Sequence, residues 1–119
     1  MNKKLKSLRN LEGVADVALT VELKRLSEIR RKEDEIAAEL SELSQALRIR
    51  GDALQKSETF DLAAQLGADA RWQSWIRAER VAALQRVAGV AAQREEQMEK
   101  TRRAFGKLDA LKSLQKKFR

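Results

Sequence analysis

The chain has 119 residues with no proline, cysteine or histidine; 36% of the residues are charged, 4% are aromatic, and the net charge is +7. This composition predicts one domain of long helices held by a thin helix–helix seam, because so few aromatic side chains cannot fill a thick globular core. The missing histidine and cysteine exclude disulfides, thiolate chemistry, imidazole catalysis and the usual zinc ligands.

No targeting or membrane segment is expected. The first ten residues, MNKKLKSLRN, are basic, but acidic Glu12 and Asp16 interrupt the apolar stretch that follows, unlike in a signal peptide. The most apolar run, residues 81–92, is too short for a bilayer span and contains Gln85 and Arg86. We therefore expect a cytoplasmic protein without a membrane span.

Residues 4–56 follow the heptad repeat of a coiled-coil helix. With Leu5 at position a, eleven of the sixteen a and d positions are apolar. The a positions are Leu5, Glu12, Leu19, Leu26, Glu33, Leu40, Leu47 and Leu54, and the d positions are Leu8, Ala15, Glu22, Ile29, Ile36, Leu43, Arg50 and Ser57. The charged residues among them are predicted to set the register or to turn away where the seam widens.

Residues 57–68 are predicted to connect two long helices. Ser57 is a candidate N-cap for a short helix that ends before Gly67, and Asp69 is a candidate N-cap for the next long helix. The second long helix is expected over residues 69–117.

The second helix has a looser repeat. One frame places Leu84, Ala91, Met98 and Phe105 in one seam row, and Val87, Arg94, Thr101 and Leu108 in the other. Near the end, Leu111, Leu114 and Phe118 predict a stutter that shifts the apolar stripe around the helix.

Two long helices with a break between them predict an all-α fold, a long antiparallel two-helix coiled-coil hairpin over residues 1–119. Antiparallel pairing brings residues 1–10, with a net charge of +4, beside residues 100–119, with +7. A parallel self-assembling dimer is the structural alternative, and the break before residue 69 argues against it.

The two basic segments are one candidate partner-binding surface. As an alternative, they are solvated helix ends, favourable to the helix dipole at the C-terminus. No helix-turn-helix, zinc-finger or RNP pattern accompanies them, and Phe105 and Phe118 are assigned to the seam, which argues against nucleic acid. The candidate residues are Lys3, Lys4, Lys6, Arg9, Lys107, Lys112, Lys116, Lys117 and Arg119.

A second candidate surface contains both tryptophans of the chain. Trp72, Trp75 and Ile76 are spaced to share one helix face. They either cover the open end of the seam as a structural plug or form an exposed aromatic site for a partner.

Catalysis is not expected. The chain has no Walker-type glycine-rich motif, and a two-helix hairpin offers no pocket in which carboxylates or a Ser–Lys pair could act. We predict no catalytic, metal-binding or cofactor-binding residues.

Three stretches of the chain form a recognisable pattern. They are the basic start that leads into a Leu-rich helix (LKSLRNLEGVADVALTVELKRLSEIRRKEDEIAAELSELSQ), the aromatic pair of RWQSW, and the basic, Leu-spaced end (MEKTRRAFGKLDALKSLQKKFR). Together they resemble the FliJ family of flagellar export proteins.

This resemblance implies a non-enzymatic stalk or adaptor of type III export, peripheral to the membrane export apparatus. The paired basic termini would enter an export ATPase ring, and Trp72, Trp75 and Ile76 would contact the export gate or chaperones. The rival hypothesis is a basic coiled coil that binds nucleic acid or an anionic surface through charge alone.

Overall fold

A computed structural model describes residues 2–56 and 67–118. Helix α1 spans Asn2–Lys56 and helix α2 spans Ala68–Lys117. The two predicted long helices are thus present, within two residues of the predicted boundaries. The predicted short helix and the Ser57 cap fall within residues 57–66 and lie outside the described residues.

The chain forms two compact units, each with a segment of both helices. The terminal unit combines Met1–Arg31 with Ala91–Arg119, and the central unit is Lys32–Val90.

The helices are antiparallel within each unit. In the terminal unit Glu12 accepts a hydrogen bond from Gln115, and Glu22, further along α1, accepts one from the earlier Gln97. In the central unit, the Arg86 guanidinium lies 2.8 Å from the Glu39 carboxylate, and that of Arg50 lies 2.6 Å from Asp69. Partners advance along α1 as they retreat along α2, which confirms the predicted antiparallel two-helix hairpin.

The predicted heptad register of α1 is correct. Every described a and d position, from Leu5 to Leu54, is buried or half-buried, including Glu12, Glu22 and Arg50. The most covered apolar side chains of α1 are Leu26 and Ile36. A leucine or isoleucine at most seam positions orients the helix, because burying each such side chain contributes about 1.5–3 kcal/mol.

The register predicted for α2 is half right. Two rows are buried or half-buried along the helix. The a row is Gln73, Arg80, Val87, Arg94, Thr101, Leu108 and Gln115, and the d row is Asp69, Ile76, Ala83, Val90, Gln97, Ala104 and Leu111. The predicted row through Val87 and Leu108 therefore faces α1. The predicted row through Leu84 and Phe105 does not, because the residues that face α1 are those one position earlier, such as Ala83 and Ala104.

The bulkier residues of α2 consequently lie outside the seam. Phe105 is 59% exposed and Leu84 is also exposed, whereas neighbouring Ala83 is fully buried. No stutter occurs, because Leu111 continues the heptad frame and Leu114 is exposed. The observed frame places the buried Gln97 amide where it donates to the half-buried Glu22 carboxylate, so both polar groups are satisfied.

Helix α2 begins one residue before its predicted cap. The Gly67 carbonyl accepts a hydrogen bond of 3.1 Å from the Arg71 N–H, and the Gly67 φ of 79° lies in the left-handed region that favours glycine. Asp69 is instead in the first turn of α2, where a carboxylate is favourable to the helix dipole. Its two oxygens accept hydrogen bonds from Arg50 and Gln73, at 2.6 and 2.9 Å.

Candidate partner-binding surfaces

The two basic segments lie together in the terminal unit. The Lys4 ammonium is 5.7 Å from the centroid of the Phe118 ring, within cation–π range. Both residues line a shallow pocket of about 300 Å³ with Lys3, Ser7 and Leu8. The predicted basic residues that the structure describes are all exposed, and Arg119 lies outside the described residues.

These cations surround the helix pair instead of forming a stripe. On α1, Lys3, Lys4, Lys6 and Arg9 take heptad positions f, g, b and e. On α2, Lys107, Lys112, Lys116 and Lys117 take positions g, e, b and c. Position c of α1 is Ser7 and position f of α2 is Ser113, but cations take the e and g positions of both helices and so lie on both sides of the helix pair. We call these eight residues the basic collar.

No carboxylate among the described residues forms an ion pair with the basic collar. The cations just before it on α2 differ, since Lys100 and Arg103 lie 3.6 Å from Glu96 and Glu99, respectively.

The aromatic residues near the basic segments are more exposed than the sequence analysis predicts. Both Phe105 and Phe118 are expected in the seam, but Phe105 is exposed outside it and Phe118 is exposed at its end. Phe105 lies between Arg103 and Lys107 along α2. Phe105 is therefore an exposed aromatic ring among cations, so the sequence-based argument against nucleic-acid binding does not hold.

Trp72, Trp75 and Ile76 divide between seam and surface. Ile76 is 4% exposed at a d position, so it belongs to the seam and not to a partner-binding surface, contrary to the prediction. Trp75, at position c, is 57% exposed. Trp72, at position g, is half-buried and lines a pocket of about 300 Å³ with Arg50 and Asp69. Trp75 therefore does not act as a buried plug.

The charged residues predicted to set the register make polar contacts between the helices. The side-chain amide of Gln97 donates to both the carboxylate and the backbone carbonyl of Glu22, the latter at 3.1 Å. The side-chain amide of Gln115 donates to the carboxylate of Glu12, and both glutamines are buried. Such pairs match one residue of α1 to one of α2, which is how buried polar groups specify a register.

Helix α1 also has an exposed apolar surface that is not among the surfaces predicted from the sequence. Leu11, Val14, Val17 and Val21 of α1 are all more than 40% exposed. Their c, f and g positions follow from the α1 register, so the signal was present in the segment LEGVADVALTV. The leucine-rich seam on the same helix has the stronger heptad pattern.

The described residues offer no group of three or more metal-ligating side chains. Within residues 2–56 and 67–118, neither helix has a segment both long enough and apolar enough to cross a bilayer. Comparisons with models of protein families, with curated proteins and with solved structures found no match.

Proposed function

We propose that this protein is a non-enzymatic stalk or adaptor of a flagellar or related type III export apparatus. The basic collar enters the pore of an export ATPase ring and faces acidic groups there. Trp75, with half-buried Trp72, contacts the export gate or an export chaperone. The protein performs no chemistry itself and works in the cytoplasm at the membrane export apparatus.

The observation that carries this proposal is the distribution of the collar around the helix pair. A ring surrounds the segment that enters it, so cations on both the e side and the g side of the helix pair can each meet an acidic group of the ring. A flat anionic membrane contacts only one side of a rod and leaves the opposite cations in water. The resemblance to the FliJ family supports the same partner.

Charge reversal on opposite sides of the collar tests the proposal. In an antiparallel pair the e positions of both helices share one side and the g positions share the other, as the Glu39–Arg86 ion pair between g positions illustrates. Arg9→Glu/Lys112→Glu reverses the e side, and Lys107→Glu/Lys117→Glu reverses the other. We expect each pair to weaken ATPase binding about tenfold or more, because like charges are brought together.

The matched control is Lys24→Glu/Lys32→Glu, which makes the same change in net charge at exposed positions outside the collar. It should alter binding by about twofold at most. The measurement is the affinity for the purified export ATPase hexamer at fixed salt. A loss confined to one of the two collar pairs contradicts insertion into a ring.

The exposed Phe105 beside Arg103 favours one other function, the binding of single-stranded nucleic acid by stacking and charge. That function predicts tight binding to an oligonucleotide, with log K falling steeply against log salt, and a weaker complex for Phe105→Ala. A strong oligonucleotide complex together with no ATPase binding would replace the stalk proposal.

Two neighbouring residues test the aromatic surface. Trp75→Ala should leave the melting temperature nearly unchanged but abolish binding to the cytoplasmic domain of the export gate or to a chaperone. Ile76→Ala, a change in the seam, should lower the free energy of unfolding by about 2–5 kcal/mol. A pulldown and a thermal melt of both variants separate the roles. If Trp75→Ala binds the export gate domain and the chaperone as well as the parent does, Trp75 is not part of a partner-binding surface.

A further inference from the structure

Helix α1 carries a second apolar row in addition to its seam. We define the α1 stripe as Leu11, Val14, Ala18 and Val21. Val14 is 69% exposed and Leu11 is 53% exposed, and exposed Val17 widens the row on its outer side. Contiguous exposed apolar surface of this kind is uncommon on soluble proteins outside interaction sites.

The spacing of the α1 stripe is that of a helix-packing seam. Its residues are separated by three, four and three positions, the alternation that keeps side chains on one line of a helix facing a partner helix. The row is about 15 Å long, or about three turns. It therefore matches a short helix in shape.

The surroundings of the stripe are positively charged. Between Asn10 and Val21, the outward b, c, f and g positions of α1 carry no charged residue. Lys4 and Arg25 take the g positions at the two ends of the stripe, and Arg25 is paired with Glu22 at 3.0 Å. On the g and c positions of α2 between residues 100 and 117 there is no acidic residue; the side chains there are Lys100, Arg103, Lys107, Ala110, Leu114 and Lys117.

The geometry points to a docking site for an acidic amphipathic helix of another protein. The apolar residues of that helix pack on the α1 stripe and on Leu114 of α2. Its flanking glutamates or aspartates face Lys107 and Lys117, which the g and c positions place on the same side of the helix pair as the stripe. The site gives the terminal unit a third helix, and it does not depend on an ATPase ring.

The positive charge around the α1 stripe favours an acidic helix over a second copy of the chain as the partner. Two copies packed stripe to stripe would bring two basic rims together, and like charges at a contact are unfavourable. The stripe also differs from a membrane-surface helix, whose wide apolar face commonly carries tryptophan or phenylalanine. The α1 stripe is narrow and wholly aliphatic.

A pair of model peptides tests the site. The probe is a fluorescein-labelled helical peptide of three heptads, with leucine at a and d and glutamate at e and g. The comparison peptide replaces every glutamate with lysine. Fluorescence anisotropy with the full chain should give saturable binding of the glutamate peptide and none of the lysine peptide.

The site variant is Val14→Ser/Val21→Ser, which removes apolar surface but keeps every cation. Its matched control is Val81→Ser/Leu84→Ser, at exposed apolar positions of the central unit. We expect the site variant to bind the glutamate peptide at least about tenfold more weakly and the control to bind within about twofold of the parent. Circular dichroism verifies that both variants are folded.

Four outcomes would overturn the proposal. The first is no binding of the glutamate peptide, and the second is equal weakening by the site and control variants. The third is a dimer of the parent chain, seen by sedimentation equilibrium, that the site variant loses. The fourth is binding to vesicles of phosphatidylcholine and phosphatidylglycerol that the site variant loses while peptide binding is unchanged. A failure of ATPase binding leaves these readouts unaffected.

Discussion

Leu108→Ala is expected to lower the free energy of unfolding by about 2–5 kcal/mol. Leu108 is 5% exposed at an a position of α2 and is one of few large apolar side chains covered in the terminal unit. Its truncation leaves a cavity in the seam, and no third element among the described residues packs there to fill it. Urea unfolding followed by far-UV circular dichroism measures the change.

The control for Leu108→Ala is Phe105→Ala, three residues away on the same helix. Phenylalanine loses more apolar surface than leucine, yet we expect a change within about 0.5 kcal/mol, because Phe105 is exposed and alanine is the better helix former. Equal destabilisation by the two variants would mean that the alternative α2 frame, with Phe105 in the seam, is the correct one.

Glu22→Leu and Gln97→Leu are each expected to destabilise the hairpin by about 1–3 kcal/mol, because each leaves a buried polar partner without its hydrogen bond. The double variant should return to within about 1 kcal/mol of the parent, since both polar groups are then gone. A thermodynamic double-mutant cycle by urea unfolding measures the coupling.

The same double variant should also populate more than one helix register or oligomeric state. A buried polar pair penalises other registers and other oligomers, at some expense in stability. We therefore expect the Glu22→Leu/Gln97→Leu chain to show additional oligomers by sedimentation equilibrium. Additive effects of the two single changes, with a strictly unaltered oligomeric state, would contradict a register-setting role for this pair.

The polar seam residues also argue against the parallel dimer considered from the sequence. In a parallel, in-register pair of α1 helices, Glu12 would face Glu12 and Glu22 would face Glu22 of the other copy, and Arg50 would face Arg50. In the hairpin those residues meet Gln115, Gln97 and Asp69 instead. The antiparallel arrangement replaces like-charge contacts with hydrogen bonds and an ion pair.

The sequence by itself determined the two helices, their antiparallel pairing and the register of α1. Leucine or isoleucine at most a and d positions from Leu5 to Leu54 leaves one apolar seam that is clearly dominant on that helix. The pairing of the basic termini follows from the topology. Burial of Glu12, Glu22 and Arg50 was also predictable, since the frame includes them.

Only the tertiary structure decided the register of α2 and the surfaces left exposed. Two adjacent rows of α2 are both spaced for a seam, and the row with larger side chains, through Leu84 and Phe105, is the more apolar one. The row through Ala83 and Gln97 faces α1 instead, and there the Gln97 amide meets Glu22. Periodicity within one helix cannot reveal this choice, because the Gln97–Glu22 hydrogen bond and the burial of Ala83 depend on both helices together.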